Sequence, residues 1–159
     1  MKNIDARFAK SKYLEVSELG ARFNLSFSSQ LEFGSKIIAL DGIKKCLLVL
    51  ETDNELNQPY VIDLNNVAAV TIKKSYGSIN QGELRNRGIE EFLKGIDLQF
   101  EIANNNKTIS LPFYDREIDD KRDRQKLDSN AKNWQMILSR IVESQSGKTI
   151  KEPNRLTLV

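Results

Sequence analysis

The 159-residue chain contains no histidine. That removes the commonest general base and a leading metal ligand, so Ser-His and Cys-His nucleophile pairs and most zinc sites are excluded. Cys46 is the only cysteine, so no intrachain disulfide can form. Inside the apolar run Cys46 to Leu50 it reads as a small buried hydrophobe, which fits a reducing compartment. No window approaches eighteen apolar residues, and Met1 to Lys12 is polar, so neither a membrane span nor a signal peptide is expected. Charge of one sign is missing too: 24 basic residues face 22 acidic ones, net +2. A dedicated nucleic-acid binder is far more one-sided, so no specific nucleic acid is expected as a partner. There is no Gly-rich phosphate loop and no Gly-x-Ser-x-Gly elbow. The chain reads as a non-enzyme without cofactor or metal.

What is present is organised around residues 95 to 142. Ile96, Leu98, Phe100 and Ile102 alternate with Asp97, Gln99 and Glu101, the period of a strand with one buried face. Ala103 to Asn106 turn the chain, and Ile109, Leu111 and Phe113 alternate in the same way, giving a hairpin. Ala131, Trp134, Ile137, Leu138, Ile141 and Val142 then recur at helical spacing, with Met136 on the opposite side. A sheet face and a helix stripe, each uncovered alone, are expected to cover each other.

Upstream, Ile4 to Phe23 suits a helix with Ala9, Tyr13, Val16, Gly20 and Phe23 on one face. Leu25 to Phe33 alternates as a first strand. Ile37 to Leu40 and Cys46 to Leu50 flank Asp41-Gly42, a dipeptide that favours a tight hairpin in which both central residues take positive φ. The second of these runs is apolar on both sides and belongs in the middle of a sheet. Tyr60 to Leu64 and Val67 to Lys74 add two strands. Residues 76 to 95 form an ordered excursion, with Ile89, Phe92 and Leu93 at helical spacing. The charged stretch Asp115 to Asp128 reads as a solvated loop ending in an N-cap at Asp128 or Ser129, and Gly147 as the helix stop. The expected division is an N-terminal helical segment over 1–24, a domain over 25–145 and a tail over 146–159.

Seven short strands followed by one amphipathic helix resemble the pleckstrin-homology-like superfold. The stretch from Tyr60 to Val142 is similar to such cytoplasmic domains of bacterial membrane-associated proteins of unassigned role. The resemblance implies an α+β fold, mainly β: a seven-stranded antiparallel, partly open barrel, preceded by an N-terminal helix and capped by a C-terminal one. It implies that Trp134, Leu138 and Ile141 pack on the sheet containing residues 96 to 113. Lipid-binding members carry a basic cluster between the first two strands, whereas Gly34-Ser35-Lys36 offers one lysine. Peptide-binding members add a strand beside the helix, at positions matching Val67 to Lys74 here.

Two candidate surfaces follow. One is a peptide-binding edge of Val67, Val70, Ile72, Lys73 and Lys74, with an unknown protein or peptide as partner. The other is a membrane surface met by Lys2, Arg7, Lys10 and Lys12, whose basic charge suits anionic lipid or the juxtamembrane end of a membrane-anchored protein. Either reading places the chain in the cytoplasm or at the inner face of a membrane. Lys73, Lys74, Arg85 and Arg87 with Tyr76 form a weaker basic edge interrupted by Glu83, Glu90 and Glu91. Asp115, Glu117, Asp119, Asp120 and Asp123 are dense carboxylates, but Asp120 and Lys126 stand where a calcium loop needs glycine and glutamate.

Overall fold

The computed structural model describes residues 14–51 and 59–158, with side chains described up to residue 144. All seven expected strands are present: β1 (Ser29–Phe33), β2 (Lys36–Asp41), β3 (Cys46–Glu51), β4 (Tyr60–Asp63), β5 (Val67–Tyr76), β6 (Leu93–Ile102) and β7 (Thr108–Asp115). They form two antiparallel sheets, β1-β2-β3-β4 and β5-β6-β7, rather than one continuous seven-stranded sheet. With α1 (14–22) and α2 (Arg124–Leu158) the fold is α+β and mainly β. The chain divides into two compact units, one ending at Asn65 and the other starting at Asn66.

In the first unit, Val16 and Leu19 of α1 pack with Ile37, Ala39, Leu48 and Leu50, the residues of one sheet face. Ile38, Leu40, Leu47 and Val49, on the opposite face, are buried as well. The two-sided apolar run at β3 is therefore central, as its composition requires. Helix α1 ends in a Schellman motif: Leu25 N–H donates to Gly20 C=O at 2.7 Å, Asn24 N–H to Ala21 C=O at 3.2 Å, and Asn24 takes φ 57°. Lys44 Nζ donates to the Asn24 carbonyl just beyond. Phe23, expected on the buried face, is 44% exposed because the motif turns the chain away there, and Leu19 takes its place. Ala9 and Tyr13 lie outside the described residues. Gly20 sits against Phe27, so a Cβ there would come within 2.8 Å of the ring and 3.3 Å of the Leu25 carbonyl. Gly20→Ala is expected to cost about 1–2 kcal/mol in chemical denaturation despite alanine's higher helix propensity, because overpacking outweighs it.

The β2–β3 turn differs from the expected two-residue hairpin. Positive φ falls at Lys45, not at Gly42, and Lys45 N–H donates to Asp41 C=O at 2.8 Å across a four-residue loop. Asp41 shapes it. This buried carboxylate accepts the N–H groups of Ile43 and Lys44 through Oδ1, at 3.0 and 2.9 Å, and that of Ser26 through Oδ2 at 2.9 Å. Those donors, Lys44 first and Ser26 next, hold its pKa below the ordinary 3.8 against the opposing effect of burial. Cys46, expected to be buried, is only half-buried at the start of β3, where its thiol donates to the Lys44 carbonyl at 3.6 Å.

In the second unit, Ile96, Leu98 and Phe100 of β6 and Leu111 and Phe113 of β7 are buried, and Leu127, Ala131, Trp134, Leu138 and Val142 of α2 supply the helix stripe. Helix α2 packs most extensively on β5, then on β7 and β6. Ile141 is half-buried and Ile137 is 42% exposed, so the stripe is narrower than the sequence arc; Met136 is exposed as expected. Helical structure begins earlier than expected. Asp120 caps a 3-10 turn over Lys121–Asp123 by accepting the Arg122 N–H at 2.9 Å, and that turn feeds directly into α2 at Arg124. The helix also runs through Gly147 and Pro153 instead of stopping. A glycine inside a helix costs only about 1 kcal/mol and is no obligatory stop. Within the excursion, Glu83–Arg85 and Ile89–Phe92 are 3-10 turns, and Phe92 and Leu93 are buried.

Candidate functional site: the β5 edge beside α2

β6 lies between β5 and β7, so β5 is an edge of its sheet. The direction of its backbone groups follows from the ladder. Ile102 N–H donates to Lys107 C=O at 2.8 Å, which points residues 102, 100, 98 and 96 of β6 toward β7 and residues 101, 99 and 97 toward β5. Their partners Thr71 and Lys73 therefore bond inward. Val70, Ile72 and Lys74 turn their N–H and C=O groups outward.

Helix α2 closes one end of that row. Gln135 Nε2 and Ser139 Oγ both donate to the Val70 carbonyl, at 3.0 and 3.3 Å, and Gln135 Nε2 lies 3.1 Å from Ser139 Oγ. These polar residues flank the buried Trp134 and Leu138, so packing of the apolar stripe delivers them to the edge. At the other end Lys74 Nζ reaches Asp128 Oδ2 at 3.3 Å, and Lys132 approaches the same oxygen at 3.5 Å. Asp128 Oδ1 is buried without a hydrogen-bond partner among the described residues. Between the two ends, the outward groups of Ile72 and the backbone of Lys74 have no hydrogen-bond partner among the described residues.

The five edge residues named from sequence thus divide. Val67 and Val70 are each only 4% exposed and belong to the core, Ile72 is half-buried, Lys73 is exposed, and Lys74 is tied to the helix. Gln135, Ser139 and Asp128 were not legible as edge residues. The available signal was the i, i+4 spacing of Gln135 and Ser139 along one flank of the apolar stripe.

Arg87, one of the basic residues named from sequence, is engaged. Arg87 pairs with Glu91 at 2.5 Å and Glu83 at 3.6 Å, and its guanidinium lies 4.8 Å from the centre of the Phe92 ring. The acidic stretch after β7 uses its carboxylates locally: Asp115 Oδ1 accepts the Glu117 N–H, Asp119 Oδ2 accepts the Asp115 N–H, and Asp120 pairs with Arg122. Lys2, Arg7, Lys10 and Lys12 lie outside the described residues. No helix among the described residues is long and apolar enough to cross a membrane. Comparisons with protein-family models, with curated proteins and with solved structures find no match to this chain.

Proposed function

We propose that the chain is a non-catalytic interaction module with a pleckstrin-homology-like arrangement, which binds a protein or peptide by adding an extended segment to β5 beside α2. The observation that carries this reading is the pair of outward, unpaired rungs at Ile72 and Lys74 on an edge strand flanked by a helix. Main-chain hydrogen bonds supply affinity in strand addition, and the neighbouring side chains supply selectivity. The 4+3 sheet division followed by a single helix supports the fold assignment. The Val70 rung is excluded from the site, since its carbonyl already accepts two hydrogen bonds from the helix.

A titration of isotopically labelled protein with a blocked peptide of alternating threonine and valine tests this. Amides of residues 70 to 74 and 131 to 142 are expected to shift. Ile72→Pro, which removes an outward donor and no ladder bond, is expected to weaken the effect about fivefold, the equivalent of one hydrogen bond. Shifts confined to distant loops, or indifferent to Ile72→Pro, overturn the assignment.

A further inference from the structure

One end of the three-stranded sheet brings two cations over a single glycine. Gly77 N–H donates to Phe92 C=O at 2.7 Å and Arg116 N–H to Lys94 C=O at 2.9 Å, so these backbone segments lie side by side. A methyl group built on Gly77 would stand 3.4 Å from Lys94 Cε and 3.7 Å from each terminal nitrogen of the Arg116 guanidinium. The two side chains converge on the space above the glycine. Neither has a hydrogen-bond or ion-pair partner among the described residues. Unpaired like charges repel, and the repulsion is relieved when an anion sits between them. Beside them opens a cleft of about 380 Å³ that also reaches Ser75, Gly95, Asp97 and Glu117.

The acids in that cleft set the class of anion. Asp97 stands opposite Lys73 in the β5–β6 ladder. Asp115 also lines the cleft, its Oδ1 accepting the Glu117 N–H at 2.9 Å, and Glu117 is exposed. These carboxylates oppose any anion in the cleft itself, a phosphate dianion more than a singly charged group, which confines the site to the point over Gly77 where Lys94 and Arg116 converge. A guanidinium also presents its paired N–H donors in the geometry of a carboxylate.

We propose that Lys94 and Arg116 form a carboxylate-binding site, and that the extended partner of β5 is an acidic peptide whose glutamate or aspartate enters it. Gly77 follows the open rungs at Ile72 and Lys74 by a few residues, so one extended segment spans both. The carboxylate site stands on the two cations alone, whereas the identity of the partner rests on the strand-addition reading above.

The test is an NMR titration with two blocked peptides of alternating threonine and valine, one carrying a glutamate near its end and the other a glutamine there. The glutamate peptide is expected to move the amides of Gly77, Lys94, Gly95 and Arg116. The glutamine peptide, or Arg116→Gln or Lys94→Gln in the protein, is expected to bind about fivefold more weakly, as exposed charge pairs allow. Both substitutions fall on exposed side chains, and an unchanged amide spectrum elsewhere verifies folding. Equal affinity for the two peptides, with shifts at Ile72 to Lys74 alone, overturns the carboxylate site and leaves strand addition standing. Shifts at Gly77, Lys94 and Arg116 that need the glutamate but spare Ile72 to Lys74 support the site and overturn strand addition. Absence of shifts with both peptides overturns both.

Discussion

Replacing Trp134 with alanine is expected to lower the stability of the β5-β6-β7 unit by about 3–5 kcal/mol, the range for a large aromatic removed from a packed interior. Trp134 is 6% exposed and lies between Ala131 and Leu138 on the stripe that α2 presents to three strands. Its removal leaves a void that the neighbours cannot fill without moving the helix, and sheet and helix depend on each other for cover. The loss reads out as a lower urea midpoint by far-ultraviolet circular dichroism, since the chain's only tryptophan is gone. Met136→Ala, two residues away and 49% exposed, is the control and is expected to stay within about 0.5 kcal/mol of the parent. Equal effects of the two substitutions contradict the orientation of the helix.

Asp41→Ala is expected to cost about 2–3 kcal/mol, because three backbone donors lose a charged acceptor at once. This contribution also carries a pH signature. The folded-state pKa of Asp41 lies below its ordinary 3.8, so the carboxylate stabilises the fold fully above that value and loses its contribution as pH falls through the folded pKa. Stability measured from pH 6 down to pH 2 is therefore expected to fall more steeply for the parent than for Asp41→Asn below about pH 4, with parallel curves above about pH 5. A constant difference across the whole range would remove Asp41 as the acid-sensitive group.

The seven strands were readable because each carries a period-two pattern or a two-sided apolar run, and burial rewards both in any context. The central place of β3 follows from the same logic. Turn geometry was less legible. Asp41-Gly42 looks like a two-residue hairpin, yet the aspartate side chain satisfies the next two N–H groups itself and draws the loop to four residues. Such side-chain to main-chain bonds compete with the standard turn at no visible cost in sequence. The limits of α2 were misplaced for a related reason, since a cap at Asp120 started a 3-10 turn several residues before the apolar stripe. At the candidate site, the edge strand was foreseeable from strand order. Its partial closure by Gln135 and Ser139 was not, because polar residues beside a buried tryptophan look like an ordinary wet flank until the helix is docked.

That closure bears on what happens when two copies of this chain meet. A bare sheet border is a template for further chains, and unbroken rows of outward amides are where fibrils begin. On β5 the row is interrupted at Val70 by two side chains from the chain's own helix. On β7 the strand contains Pro112, which has no amide proton to offer. A second molecule zipping onto β5 would meet a closed rung at Val70, so a segment short enough to dock as a ligand fits where an endless stack does not.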